Sequence, residues 1–187
     1  MRYLQDNSTC TCITQVLSLV YGMLGNTYDW EICSAARALE IAGERWSLLI
    51  LRNAAFAGMT RFSEFEKGLR IAPNILAARL ERFVEEGLMT VATGSAGHQE
   101  YHLTEKGLDF KPVIVALTQW GDRWAAPDGP PIVYEHEQCG HRVGFGVYCK
   151  TCAESVPAKE VTARKTEVMS RLQQKRRGRP MGKKRST

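Results

Sequence analysis

The sequence predicts a mainly α-helical chain with one small β-hairpin. Three observations predict it. Apolar residues recur at helical spacing through most of residues 33–125. A break of a few residues divides the middle of that stretch into two short helices. The second of these runs into a glycine-rich turn flanked by two short extended segments. At 187 residues, with 44% hydrophobic and 24% charged residues, the chain is long enough to bury a core. No apolar run approaches the ~18–20 residues of a membrane span.

The first 22 residues carry Cys10 and Cys12 in a Ser/Thr-rich opening without a partner motif, and Met23 is an alternative start. The run from Ile13 to Leu24 is broken by Gln15 and Ser18 and lacks a basic flank, so it does not read as a secretory signal. Six unevenly spaced cysteines do not form a disulfide framework, and the expectation is a cytoplasmic chain with reduced thiols. From Ser34, a candidate cap, a helix runs through Ala35, Ala36, Ala38, Leu39 and Ile41 to Gly43. A second, Glu44 to Ala57, directs Trp46, Leu49, Ile50 and Phe56 toward a core.

Arg61 to Met89 organises the rest. Phe62 and Phe65 share one face of a short helix expected to stop near Gly68. Pro73 opens the next helix, where its missing N–H costs nothing. Leu76, Leu80, Phe83 and Val84 follow the 3, 4, 7, 8 spacing of a helix packed on one side. Asn74, Ala77, Ala78 and Arg79 lie off that stripe, and two alanines there let the helix sink into a major groove. The pattern is that of a helix-turn-helix, with an ordinary αα-hairpin as the alternative. Leu88 to Val91 and Glu100 to Leu103 then read as strands around the turn Thr93–Gly97, a wing beside the second helix. Thr104 caps a further helix reaching about Ala125, kinked at Pro112. Its residues Val113, Leu117, Trp120 and Trp124 step by 4, 3 and 4, a narrow seam suited to a second subunit or, alternatively, to folding back on the same domain.

The segments CSAARALEIAGERWSLLILRNA, RFSEFEKGLRIAPNILAARLERFVEEGLM and EYHLTEKG resemble the HxlR-type winged-helix transcription regulators, relatives of the MarR group, over about Asn26 to Ala126. The resemblance implies a dimeric winged helix-turn-helix repressor or activator paired through its first and last helices. It also implies a response to electrophiles, oxidants or small effectors. The groove-facing candidates it carries over are Ala72, Pro73, Asn74, Ala77, Ala78 and Arg79 on a recognition helix Pro73–Glu86. Asn74 suits bidentate pairing with adenine, and Arg61 and Arg82 suit phosphate. The wing departs from the family, with Thr90, Val91 and Ala92 where a basic residue usually stands and only His98 as a potential cation. Cys33 matches the redox-reactive cysteine of some members, near a helix start that lowers a thiol pKa. The alternative is a small residue buried there.

Beyond Pro127–Pro131, a stiff linker, a module over 127–160 holds His136-x2-Cys139-x-His141-x7-Cys149-x2-Cys152. Cys139, Cys149 and Cys152, with His141 or His136 as the fourth ligand, suit one structural zinc ion per chain. A reversible Cys149–Cys152 disulfide and plain buried thiols are the alternatives. No general base stands near enough in sequence to suggest an enzyme.

Residues 161–187 form the tail, with a helix expected over Val161–Gln174 and disorder from Lys175. Residues 171–187 carry eight basic groups and no acid, whereas the other 170 residues hold 17 basic and 20 acidic side chains. Positive charge is therefore a property of the tail. Arg177-Gly178-Arg179-Pro180 resembles an AT-hook, suited to a narrow A·T minor groove. The alternative is a solvated arm adding nonspecific phosphate affinity. These readings together predict a dimeric, sequence-specific regulator of double-stranded DNA with no membrane partner. An architectural nucleoid-type protein dominated by its arm is the second hypothesis.

Overall fold

The structure, a computed structural model, describes residues 27–28, 31–95 and 97–177. The sequence calls on residues 1–22 and on Gly178, Arg179 and Pro180 lie outside the described residues. The chain divides into two units, Met1–Glu40 and Ile41–Thr187.

In the first unit, Cys33 rather than Ser34 occupies the cap position. Its carbonyl accepts from Ala36 and Arg37, and Ser34 is the first residue of helix α1, Ser34–Ala42. Arg37 pairs with Glu40 at 2.9 Å and donates to the Tyr28 carbonyl at 2.6 Å, so the approach to α1 is tied to its exposed side.

The second unit is built on α2 (Arg45–Phe56), α3 (Phe62–Leu69) and α4 (Pro73–Glu85), a hairpin of β1 (Met89–Thr93) and β2 (Gln99–Leu103), then α5 (Glu105–Leu108) and α6 (Lys111–Trp124). Ile50 and Leu51 of α2, Phe65 of α3, and Leu76, Leu80 and Phe83 of α4 are fully buried together with Leu88 and Met89. Removing each such side chain from water is worth roughly 1.5–3 kcal/mol. The i, i+4, i+7 face of α4 is therefore its anchor. Two residues expected in the core are not: Val84 stands on the rim of the stripe and is exposed. Phe56 is exposed too, its ring centroid 4.3 Å from that of Tyr134, a residue far along the chain, and 5.3 Å from the Lys111 ammonium that lies over the ring.

The break between α3 and α4 is made by a residue other than the one expected. Gly68 stays helical, and Arg70 takes the left-handed conformation at φ 50°. At the other end of α4, Gly87 (φ 70°) closes the helix, with the Leu88 N–H on the Phe83 carbonyl at 2.8 Å and the Gly87 N–H on that of Val84 at 3.0 Å. This six-to-one closure satisfies carbonyls that the helix end would orphan. Glu86 is the cap, one residue past the helix.

The hairpin pairs Met89 with Leu103 through Thr93 with Gln99, one position later than expected in its first strand. It is stitched to the start of α3 by the Tyr101 N–H on the Thr60 carbonyl at 2.7 Å and by an antiparallel bridge of Arg61 with Glu100. The wing and the helix-turn-helix are thus one rigid piece. Thr104 caps α5 as expected, accepting from the Gly107 N–H at 3.2 Å, and its hydroxyl donates to the Gly87 carbonyl at 2.7 Å. The single kinked helix expected beyond it is instead two helices. Proline is favourable in a first helical turn, and Pro112 begins α6 rather than bending it.

The module that follows does not hang free on a linker. Gln119 of α6 donates to the Val143 carbonyl at 3.1 Å and accepts from the Phe145 N–H at 2.7 Å, while Tyr134 meets Thr118 at 3.3 Å. The module has two hairpin turns, one closed by the Glu135–Arg142 bridge and one between β3 (Val147–Cys149) and β4 (Glu154–Val156). The tail helix, α7, runs Glu167–Arg177, beginning later and ending later than expected.

Candidate nucleic-acid interface

Helix α4 presents its outer face at the surface. Ala72 is the cap residue and makes no side-chain cap bond, and Pro73 opens the first turn. Ala72, Pro73, Asn74, Ala77 and Ala78 are all exposed. No hydrogen bond engages the Asn74 amide among the described residues, so its donor and acceptor face outward unused. Ile75, which the sequence reading passed over, is exposed on the same surface and offers an apolar contact of the kind a thymine methyl accepts.

The arginines are placed differently. Arg79 turns back to Glu44, just ahead of α2, at 3.2 Å; it is half-buried, and its Nε has no hydrogen-bond partner. Arg82 pairs with Glu86 at 2.7 Å and with Glu85 at 3.6 Å. Arg61 pairs with Glu100 at 3.3 Å, and that carboxylate also meets His102 at 3.4 Å. Each expected phosphate contact thus already holds an acid. Two cations that sequence reading missed, Lys67 and Arg70, are exposed and make no ion pair among the described residues. Lys67 is in the last turn of α3 and Arg70 is its cap residue. Their signal was a pair of basic residues at the end of the helix that leads into α4. His98 is exposed at the wing tip.

A capping contact holds the entry to α3. The Glu64 carboxylate accepts from the Arg61 N–H at 3.0 Å and the Thr60 N–H at 2.9 Å. These two backbone donors, Arg61 first, hold its carboxyl below the usual value.

The seam on α6 is exposed throughout: Val113 at 49%, Leu117 at 51%, Trp120 at 62% and Trp124 at 65%. Among the described residues they do not fold back into the core of their own domain, and nothing covers their apolar surface.

The Cys/His residues come together as two pairs. His136 Nδ1 lies 3.2 Å from Cys139 Sγ. Cys149 receives a hydrogen bond from the Cys152 N–H, then one from the Cys152 side chain and one from the Thr151 N–H, which hold its thiol below the usual value. Among the described residues no three His, Cys, Asp or Glu side chains share a position for one ion. His141 belongs to neither pair; its carbonyl accepts from the His136 N–H at 2.9 Å. Cys33 is exposed with a free thiol. No helix among the described residues is long and apolar enough to cross a membrane.

Comparison with known proteins agrees with this geometry. Residues 41–129 match the model of the HxlR-like helix-turn-helix family. An uncharacterized HTH-type transcriptional regulator of Mycobacterium tuberculosis is 43% identical over 142 residues, covering 74% of this chain and 88% of the relative. YvaP of Bacillus subtilis, also an uncharacterized HTH-type transcriptional regulator, is 31% identical over 101 residues, covering 52% of this chain and 93% of YvaP. Among solved structures, PA1607, a candidate transcription factor, superposes with a TM-score of 0.65 at 39% identity. That match covers 72% of this chain and 96% of PA1607. PA1374 of Pseudomonas aeruginosa, described in the same terms, superposes at 0.53 with 36% identity, covering 75% of this chain and all of the other.

Proposed function

Since the chain belongs to the HxlR-like helix-turn-helix family, we propose that it is a dimeric, sequence-specific DNA-binding transcriptional regulator. The observation that carries the reading is the outer face of α4, where Asn74, Ile75, Ala77 and Ala78 are exposed beside the wing and make no hydrogen bond or ion pair through their side chains among the described residues. Small side chains allow close approach to base edges. Asn74 supplies the paired donor and acceptor that adenine requires, and Ile75 a partner for a thymine methyl. Lys67 and Arg70 are the phosphate contacts ready to use. Arg61 and Arg82 would have to exchange a carboxylate for a phosphate oxygen. Arg79 acts chiefly as the strut between α4 and Glu44.

The uncovered seam of Val113, Leu117, Trp120 and Trp124 supports pairing of two chains through α6, together with α1. A two-fold dimer presents two copies of α4 to half-sites about one helical turn, ~34–36 Å, apart. The basic arm, with Arg177, Gly178, Arg179 and Pro180, then raises affinity on flanking A·T-rich DNA by proximity more than by base reading. The carboxylates already held by the body's arginines favour one competing reading, an architectural protein in which the arm supplies most of the binding.

Selection of bound sequences from a random duplex library at fixed salt separates the two. The regulator yields a palindrome with constant half-site spacing. Recovery of A·T-rich tracts alone would overturn it in favour of the arm.

A further inference from the structure

The two Cys/His turns of the module are built alike. In each, two ligand-type residues lie three apart, and the residue directly after the second has positive φ: Gly140 at 67° after Cys139, and Ala153 at 57° after Cys152. In each, that residue's N–H returns to the carbonyl of the first ligand-type residue, Gly140 to His136 at 2.8 Å and Ala153 to Cys149 at 2.9 Å. The second turn adopts this conformation with an alanine, although a side chain there costs roughly 1–2 kcal/mol relative to glycine. Packing does not explain the cost, because Thr151, Cys152 and Ala153 are all exposed.

In the first turn the two ligand atoms already face the same space. The 3.2 Å between His136 Nδ1 and Cys139 Sγ approaches the separation of about 3.5 Å that Zn–N and Zn–S bonds near 2.0 and 2.3 Å impose at a tetrahedral angle. In the second turn the N–H groups of Thr151 and Cys152 point at the Cys149 sulfur, the arrangement that a metal-bound thiolate needs.

We propose that these turns are the two halves of one structural zinc site, with His136, Cys139, Cys149 and Cys152 as its ligands and His141 outside it. Three thiolates and one imidazole make a closed, soft, tetrahedral set with no open position for substrate. Binding sends three thiol protons to solvent and leaves the imidazole neutral. One ion held by both turns ties them to each other. The segment between them, pinned to α6 by Gln119 through Val143 and Phe145, is then braced from both ends.

Full-length protein purified under reducing conditions without chelator should contain one zinc ion per chain by elemental analysis. After zinc is stripped, cobalt(II) titrated into the reduced chain should give the intense visible bands of a tetrahedral ion and thiolate-to-cobalt charge transfer, saturating at one equivalent. His136→Ala should lose the tetrahedral bands and His141→Ala should keep them. Wild-type protein that carries no zinc and leaves cobalt octahedral would overturn the proposal, whether or not the variants fold. So would one ion per two chains, or a site lost with His141→Ala and kept with His136→Ala.

Discussion

The helix-turn-helix and the Cys/His module lie in one chain and are held together by different means. The first buries Phe65, Leu76, Leu80 and Phe83 completely; the second, residues 127–160, buries no side chain at all. The former is stabilised chiefly by removal of apolar surface from water. The latter depends on a few hydrogen bonds to Gln119 and Thr118, on the contact of Tyr134 with Phe56 and, on the proposal above, on a metal ion. A surface that must meet a groove in a fixed pose is mounted on the first kind of support. A segment that responds to conditions is more easily made from the second.

The comparison can be broken most forcefully in the core. Phe83→Ala removes a fully buried ring from α4 and should cost about 3–5 kcal/mol, much of the ~5–15 kcal/mol a domain holds in total. Urea unfolding should show the loss, and DNA binding should go with it. A smaller effect is expected at Gly107, where a Cβ would stand 2.2 Å from the Leu88 carbonyl oxygen and 2.9 Å from Leu103 Cδ2. Gly107→Ala should destabilise by roughly 1–3 kcal/mol by forcing α5 off the exit of α4. In the module, Gln119→Ala should act locally. Loss of two hydrogen bonds worth about 0.5–1.5 kcal/mol each should raise amide exchange at Phe145, while the unfolding midpoint of the core stays nearly in place.

The smallest effect is one of pH. Glu64 has a lower pKa folded than unfolded, because the Arg61 and Thr60 N–H groups favour its charged form. Its contribution is therefore complete above the unfolded carboxylate value and is lost as pH falls through the folded one. Glu64→Gln should flatten the acid limb of the stability curve and leave neutral pH little changed.

What the sequence made legible follows from the same contrast. The spacing of Leu76, Leu80 and Phe83 reports burial directly, so α4 and its outer face could be read from residues alone. The misreadings occur where local pattern admits two outcomes. A glycine and an arginine both stood near the end of α3, and the arginine took the left-handed turn. Proline within a helical run signals a kink or a new start, and Pro112 made a start. Phe56 looked like core because its partner, Tyr134, lies in a segment whose docking no periodicity announces. The ion pairs that occupy Arg61 and Arg79 were likewise invisible, since Glu100 and Glu44 are brought to them only by the fold, whereas the pairs of Arg82 with Glu85 and Glu86 stand at i+3 and i+4 and could have been read from spacing.

The central claim is that α4 reads sequence while the arm adds affinity. Fluorescence anisotropy at two salt concentrations tests it, with full-length protein, Asn74→Ala and a chain ending at Gln174, each on the selected operator and a scrambled duplex. Asn74→Ala should reduce the preference for operator by about five- to 150-fold, the worth of a bidentate base contact of ~1–3 kcal/mol. The shortened chain should bind both duplexes more weakly by one common factor, with a shallower salt dependence. An unchanged preference in Asn74→Ala, with all binding lost in the shortened chain, would contradict the account.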